Sequence, residues 1–206
     1  MTTLIVCRHG NTFDKGDTLR RVGGRTDIPL SSSGQAQACA IGHWLKQSGL
    51  RPDAVYSSQL QRTKQTAELA LAEAGIKEPV FPLAIFNEID YGPDENKPED
   101  EVKARLGEQA LKDWDEKAIV PDGWVFDPAQ CIDDLKNFAA HMIEDKQDCV
   151  MVVTSNGIAR FLPHLTEDFD GFAATHPLKV STGGICVLSH DHGRWHILGW
   201  NVNPIS

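Results

Sequence analysis

Leu4-Ile5-Val6-Cys7-Arg8-His9-Gly10 decides the reading of this chain. Four apolar residues run without alternation into a charged pair and a glycine. A short apolar run rich in β-branched residues reads as a buried strand. In open α/β sheets ligands bind at the carboxyl ends of the strands, and here that end carries Arg8 and His9. An arginine offers a fork of N–H donors to a phosphate. A neutral imidazole offers a nitrogen that can accept a phosphoryl group. The bland alternative is a strand end with two solvated polar side chains.

Outward from this strand, helical and strand patterns alternate. Ser32 with Gln35 forms a capping-box start, Ala38, Ile41 and Leu45 repeat at helical spacing, and Gly49 is a stop. Ala54-Val55-Tyr56 reads as a second strand. Ser58 with Gln61 repeats the capping pattern ahead of a helix whose face is Leu60, Thr63, Ala67, Ala70 and Ala74. Residues 79–83 suggest a third strand. Residues 92–127 are acidic and irregular, with helix expected over 101–118, and read as an insertion capping the active site. Asp127-Pro128 is a helix N-cap with proline at the first helical position, and Ile132, Leu135, Ala139 and Met142 form that helix's stripe. Residues 150–154 read as a central strand and 158–162 as a helix with Asn156 as N-cap. Residues 185–188 and 195–200 read as two final strands joined by a turn at Asp191-His192-Gly193. The expected architecture is one α/β domain over 1–206. It is a three-layer α/β/α sandwich whose central sheet is mostly parallel and antiparallel at one edge.

The 206 residues are 41% hydrophobic and 24% charged, an ordinary globular balance, and the net charge is −9. That charge argues against nucleic acid or a membrane surface as partner. An anionic small molecule would need a local basic pocket, for which Arg8, Arg20, Arg21 and Arg25 are candidates. No signal-peptide pattern is seen, and the five cysteines form no CxxC pair. A reduced, cytoplasmic protein without a cysteine metal site is expected.

Other junctions carry polar residues of a kind that suits phosphate chemistry. Asn11 and Thr12 follow the opening triplet. Arg62 lies in the first turn of its helix, where free N–H groups favour an anion. Ser155-Asn156-Gly157 follows the central strand, and Glu88 follows an apolar segment. Taken singly, each has an ordinary structural reading.

Together they resemble the histidine phosphatase superfamily, which includes cofactor-dependent phosphoglycerate mutases and α-ribazole phosphatases. The resemblance is carried in order by four blocks. They are Leu4 to Thr12, Gly24 to Leu30 with Gly34 and Gln37-Ala38, Tyr56 to Thr63 with Gln65-Thr66-Ala67, and Glu88-Ile89-Asp90-Tyr91-Gly92. It implies a metal-independent, cofactor-free phosphatase acting on a small phosphorylated substrate. His9 would be the nucleophile that forms a phosphohistidine, Arg8 and Arg62 the phosphoryl clamps, and Glu88 the acid and base. Asn11, Thr12, Gly24 and Gly157 would lie against the substrate.

The family carries a second histidine in a Ser-His-Gly context. The matching position here is Asn156, which keeps a donor and loses the charge. A neutral hydrogen bond is roughly half as strong as a charge-assisted one. Two alternatives to the phosphatase follow: a weakened pseudoenzyme that binds a phosphorylated ligand or partner, and a mutase-type phosphotransferase. The mutase branch carries an asparagine near the position of Asp14 and Lys15, which ranks it below the phosphatase. His176 is a candidate to fill the missing histidine's place, with a surface-loop histidine as the plainer reading. Phe13, Tyr91 and Trp114 are candidates to touch a ring or sugar, or else local packing.

Overall fold

The computed structural model describes residues 1–204. Strand β1 (Thr2–Arg8) leads to helix α1 (Ser32–Ser48), β2 (Ala54–Ser57), α2 (Gln61–Ala74) and β3 (Val80–Pro82). Then come α3 (Glu99–Lys117), α4 (Pro128–Glu144), β4 (Cys149–Thr154), α5 (Asn156–Ala159) and α6 (Phe169–Thr175). The hairpin β5 (Ile185–Asp191) and β6 (Arg194–Val202) closes the series. The six strands form one sheet in the order β3-β2-β4-β1-β5-β6. The first four are parallel, and β5 runs antiparallel to β1 and to β6. The expected mostly parallel sheet with one antiparallel edge is therefore present.

β1 is bonded on both sides, to β4 and to β5, and both of its faces are covered. Leu4 and Val6 point into one apolar layer with Leu135 and Met142 of α4 and Phe86. Ile5 and Cys7 point into the other with Ile41 and Leu45 of α1 and Ala67 and Ala70 of α2. Alternate side chains thus enter opposite layers, which is why the run shows no polar alternation.

Several boundaries shift by a residue, each for a visible reason. The N-cap of α1 is Ser31, not Ser32, because the Ser31 hydroxyl accepts the Gly34 N–H at 3.3 Å. The two N–H groups before it, of Ser32 and Ser33, donate to the Asp14 carboxylate. The Ser58–Gln61 capping box does not form. Leu60 is the cap residue, Ser58 Oγ bonds Thr63 Oγ1 at 2.6 Å, and the Gln61 N–H donates to Asp27 Oδ1 at 2.7 Å. Asp127 caps α4 as expected, accepting from Ala129 and Gln130. In that helix Cys131 is fully buried and Ile132 only partly. Ser155, not Asn156, is the N-cap residue of α5, which is one turn long and leads to a 3₁₀ turn at Leu162–Leu165. The hairpin turn has positive φ at His192 and Gly193, 46° and 80°, the backbone that a two-residue type I′ turn requires. No described helix is long and apolar enough to cross a membrane.

α3 is two helical pieces across a kink at Gly107, where φ is 79° and ψ is 163°. The buried Asp94 carboxylate anchors the segment around it. It accepts from Arg105 on α3, with Nε at 2.6 Å, and from Trp124 Nε1 at 2.7 Å. Beyond the kink, Trp114 is 1% exposed and packs edge-on against Trp124 and Phe126.

Candidate active site

β4 lies between β2 and β1, so three parallel strands end side by side. The ends are tied together: the His9 N–H donates to the Thr154 carbonyl at 3.0 Å, and the Ser58 N–H to the Val153 carbonyl at 3.1 Å. This places Arg8 and His9 beside Asn156, with Arg62 approaching from the first turn of α2. A cavity of about 500 Å³ opens there, with Arg8, His9, Asn11, Thr12, Glu88 and Asn156 in its wall.

His9 is buried and its ring is oriented from both sides. Nδ1 lies 2.7 Å from the Gly10 carbonyl. A carbonyl can only accept, so the proton sits on Nδ1 and Nε2 keeps its lone pair. Arg62 Nε–H donates to that Nε2 at 3.2 Å. Burial, together with the nearby Arg62 and Arg8 guanidinium groups, holds the imidazole pKa well below 6.5. The ring is therefore neutral, with the lone pair on a defined nitrogen.

Arg62 itself is fully buried, and its other donors go to the Thr26 and Gly23 carbonyls. It bonds His9 and is not among the residues of the cavity wall, although the resemblance made it a phosphoryl clamp. Arg8 Nη1 donates to the Val180 carbonyl at 2.7 Å, while its buried Nε has no acceptor among the described residues. Burial lowers both arginine pKa values, and the Glu88 charge opposes that shift.

Glu88 is 8% exposed. Its Oε1 accepts the Ile89 N–H at 3.0 Å and its Oε2 the Gly157 N–H at 3.4 Å. Gly157 has no room for a Cβ, which would overlap the Glu88 carboxylate, and a Cβ on Gly24 would collide with the Glu88 carbonyl. Both glycines were expected against the substrate. Neither lines the cavity, and each instead lets backbone close in on Glu88. Asn11 reaches the wall with its side chain already engaged, donating to Ser33 Oγ and accepting from Thr182 Oγ1.

Asn156 Oδ1 accepts the Val180 N–H at 2.9 Å. That bond fixes the amide, since only the oxygen can accept, and leaves the NH₂ end for the cavity. Val180 is thereby held at both of its peptide groups, by Arg8 and by Asn156. His176 does not fill the missing histidine's place. It lies at the end of α6, stacked on Phe172 with ring centres 4.5 Å apart, outside the cavity wall. Phe13, Tyr91 and Trp114 all reach the wall, though Tyr91 and Trp114 are 5% and 1% exposed and act chiefly as packing.

The rest of the wall was only partly foreseen. Arg20 and Arg21 line it, whereas Arg25 turns away to Asp90 and the Gly92 carbonyl. Arg160 and Lys179 also line it, opposed by Glu99 and Asp115. Arg160 could have been noticed as the one charge in Ile158-Ala159-Arg160-Phe161-Leu162, one helical turn after Asn156. Glu95 has no such signal. Its carboxylate accepts from the Gly23, Arg25 and Tyr91 N–H groups and from Thr26 Oγ1, tying the 23–26 loop to the segment after Tyr91.

Residues 4–203 match the histidine phosphatase superfamily (branch 1). This chain belongs to that superfamily. Among curated relatives, it is 35% identical over 115 residues to a 2,3-bisphosphoglycerate-dependent phosphoglycerate mutase of Thermobifida fusca, covering 55% of this chain and 46% of the relative. A mutase of the same description from Mycobacterium bovis is 30% identical over 167 residues, covering 80% and 65%. The chain spans about half the length of the first curated relatives it matches. Among solved structures, mycobacterial glucosyl-3-phosphoglycerate phosphatase superposes with a TM-score of 0.78 at 20% identity, covering 98% and 99% of the two chains. The α-ribazole phosphatase of Shigella flexneri gives 0.74 at 19%, covering 98% and 97%. At such identities these two structures establish the shared fold of this histidine phosphatase superfamily member.

Proposed function

We propose that this protein hydrolyses small phosphomonoesters through a phosphohistidine on His9. The observation that carries the reading is the His9 ring, neutral, protonated on Nδ1 and presenting Nε2 between Arg62 and the cavity. In the first step the Nε2 lone pair forms the N–P bond as the ester P–O bond breaks. Glu88 acts as the general acid that delivers a proton to the leaving oxygen. In the second, Glu88 takes a proton from water, the water oxygen bonds to phosphorus and the N–P bond breaks, returning the lone pair to Nε2. As the Nε2 lone pair enters the N–P bond it releases the Arg62 Nε–H, which with the unpartnered Arg8 Nε–H supplies donors for the charge on the phosphoryl oxygens, and the Asn156 NH₂ group adds a neutral one. The cavity volume suits a phosphorylated metabolite. Residues 92–127 are its cap, contributing Glu99, Trp114 and Asp115 to one side.

The hydrolase reading ranks above a mutase although the curated relatives are mutases. Asp14, near the place where the mutase branch carries an asparagine, is committed to the N-terminus of α1. The test is phosphate release from p-nitrophenyl phosphate and a panel of phosphorylated metabolites by wild type, His9→Ala and Asn156→His. Turnover that falls by about 10⁴-fold or more in His9→Ala supports the mechanism. Efficient isomerisation of 3-phosphoglycerate primed with 2,3-bisphosphoglycerate would make it a mutase. Inert wild type with an active Asn156→His would make it a binding protein with a detuned site.

A further inference from the structure

Arg62 orients the nucleophile, and Arg62 is itself held by a loop. Its Nε donates to His9 Nε2 at 3.2 Å, its Nη1 to the Thr26 carbonyl at 2.8 Å and its Nη2 to the Gly23 carbonyl at 3.1 Å. The guanidinium is fully buried, so those two carbonyls set its direction. The loop that carries them belongs to no helix or strand. Its shape depends on a carboxylate from a distant part of the chain. Glu95 Oε1 accepts the Gly23 N–H at 3.1 Å, the Arg25 N–H at 3.2 Å and the Thr26 hydroxyl at 2.7 Å. Both residues whose carbonyls bind Arg62 are thus held by Glu95, one through its N–H and the other through its hydroxyl.

The second Glu95 oxygen reaches the acid's side of the site. Oε2 accepts the Tyr91 N–H at 3.1 Å, and Tyr91 follows Glu88-Ile89-Asp90 in the chain. The Gly24 N–H donates to the Ile89 carbonyl at 2.8 Å. A Cβ on Gly23 would overlap Glu95 Oε2 and crowd the Ile89 carbonyl, so glycine lets the loop come this close. Burial lowers the Arg62 pKa, and Glu88, Tyr91, Asp27 and Glu95 act in the opposite direction. Glu95 itself is half-buried and is not among the residues of the cavity wall. Its four bonds carry the carboxylate charge and are stronger for it.

We infer that Glu95 is a positioning residue of the phosphoryl-transfer site, acting on His9 through the 23–26 loop and Arg62. This rests on the hydrolytic reading of the His9 site and adds a residue to it. When the Gly23 and Thr26 carbonyls move, Nη1 and Nη2 of Arg62 follow, and the Nε–H that fixes the imidazole goes with them. A displacement on the order of 1 Å at a reacting group can cost about 10²-fold in rate. The bond to Tyr91 makes the same carboxylate keep the Glu88 segment and the Arg62 clamp at one spacing.

The experiment measures kcat and KM on p-nitrophenyl phosphate, and the nitrogen NMR resonances of the His9 ring, in wild type, Glu95→Gln, Glu95→Ala and Arg62→Gln. Glu95→Gln keeps an acceptor for the loop but turns an NH₂ group toward the Tyr91 N–H, and kcat should fall about fivefold. Glu95→Ala removes all four bonds, and kcat should fall about 10²-fold. KM should change by less than about twofold, because no contact with substrate is lost. The His9 Nε2 resonance in Glu95→Ala should move toward its position in Arg62→Gln, since the bond from Arg62 Nε–H is lost in both. An unchanged kcat in Glu95→Ala, or a lower kcat with the Nε2 resonance unmoved, would overturn the proposal. If Glu95→Ala does not fold, Thr26→Val decides, because it removes the hydroxyl and leaves the carbonyl to Arg62. A kcat about threefold lower with a displaced Nε2 resonance upholds the role, and a wild-type value of either removes it. If wild type hydrolyses neither p-nitrophenyl phosphate nor any phosphorylated metabolite, the hydrolytic reading fails on its own. The Nε2 resonance of the folded variants then decides the positioning role: displaced, it stands, and unmoved, it falls.

Discussion

Arg8 and His9 hang from a strand bonded to neighbours on both sides, whereas Trp114 and Asp115 hang from a helix broken at Gly107. The first region is held by the sheet ladder and by two apolar layers. The second is held largely by one buried carboxylate, Asp94, and by aromatic rings packed edge-on. Its surface pairs, such as Lys103–Glu108 and Lys117–Asp113, are exposed and contribute little. The difference separates two tasks. The nucleophile needs a fixed position to within a fraction of an ångström. The wall that meets the rest of the substrate can differ between relatives without disturbing the sheet.

Three substitutions break or sharpen this contrast. The largest effect is expected from Gly157→Ala on the rigid side. The added Cβ overlaps the Glu88 carboxylate, so kcat should fall about 10²-fold, with melting temperature barely changed. A kcat near that of wild type would mean that Glu88 does its work from another position.

Asp94→Asn attacks the wall. It leaves Arg105 facing a neutral amide where a partly buried ion pair stood, at a cost of about 3 kcal/mol. Hydrogen exchange should quicken across 92–127 while β1 and β4 keep their protection. Uniform loosening of the whole chain would show instead that wall and sheet unfold together.

Asp14→Ala should have the smallest effect, on acid stability. Hydrogen bonds from Ser33 and Ser31 hold the Asp14 pKa down to about 2, against about 3.9 in an unfolded chain. A lowered carboxyl stabilises the fold fully above the unfolded value and loses that contribution as pH falls through the folded one. The melting difference between wild type and Asp14→Ala should therefore be constant above pH of about 5 and shrink between about 4 and 2. A difference that persists unchanged at pH of about 2 would assign the effect to packing.

The unbroken run Leu4 to Cys7, the α1 stripe Ala38-Ile41-Leu45 and the Asp127-Pro128 start of α4 were all readable, because each is a local pattern. The register of the caps was less so. Ser31 and Ser32 are equally good caps on paper, and Asp14, 18 residues upstream of Ser32, helps to set the choice. Gly24 and Gly157 were read as lying against the substrate, and their approach to Glu88 was not legible, since three separate segments meet there. Residues 92–127 gave composition without a period, so neither the kink at Gly107 nor the burial of Trp114 could be seen in advance.

By itself, then, the sequence determined the sheet's central strand, the order of helices and strands, and the chemical types gathered at the strand ends. Those depend on periodicity and on residues a few positions apart. Only the tertiary structure decided the His9 tautomer, which hangs on one carbonyl and one distant guanidinium. It also decided the amide orientation of Asn156, which follows from the Val180 N–H, and the pairing of Arg160 with Trp114, Asp115 and Lys179. Apart from the adjacent Gly10 carbonyl, these contacts join residues 24 to 64 positions apart. Hydrogen-bond direction and burial follow from where the chain crosses itself, and no local pattern encodes that.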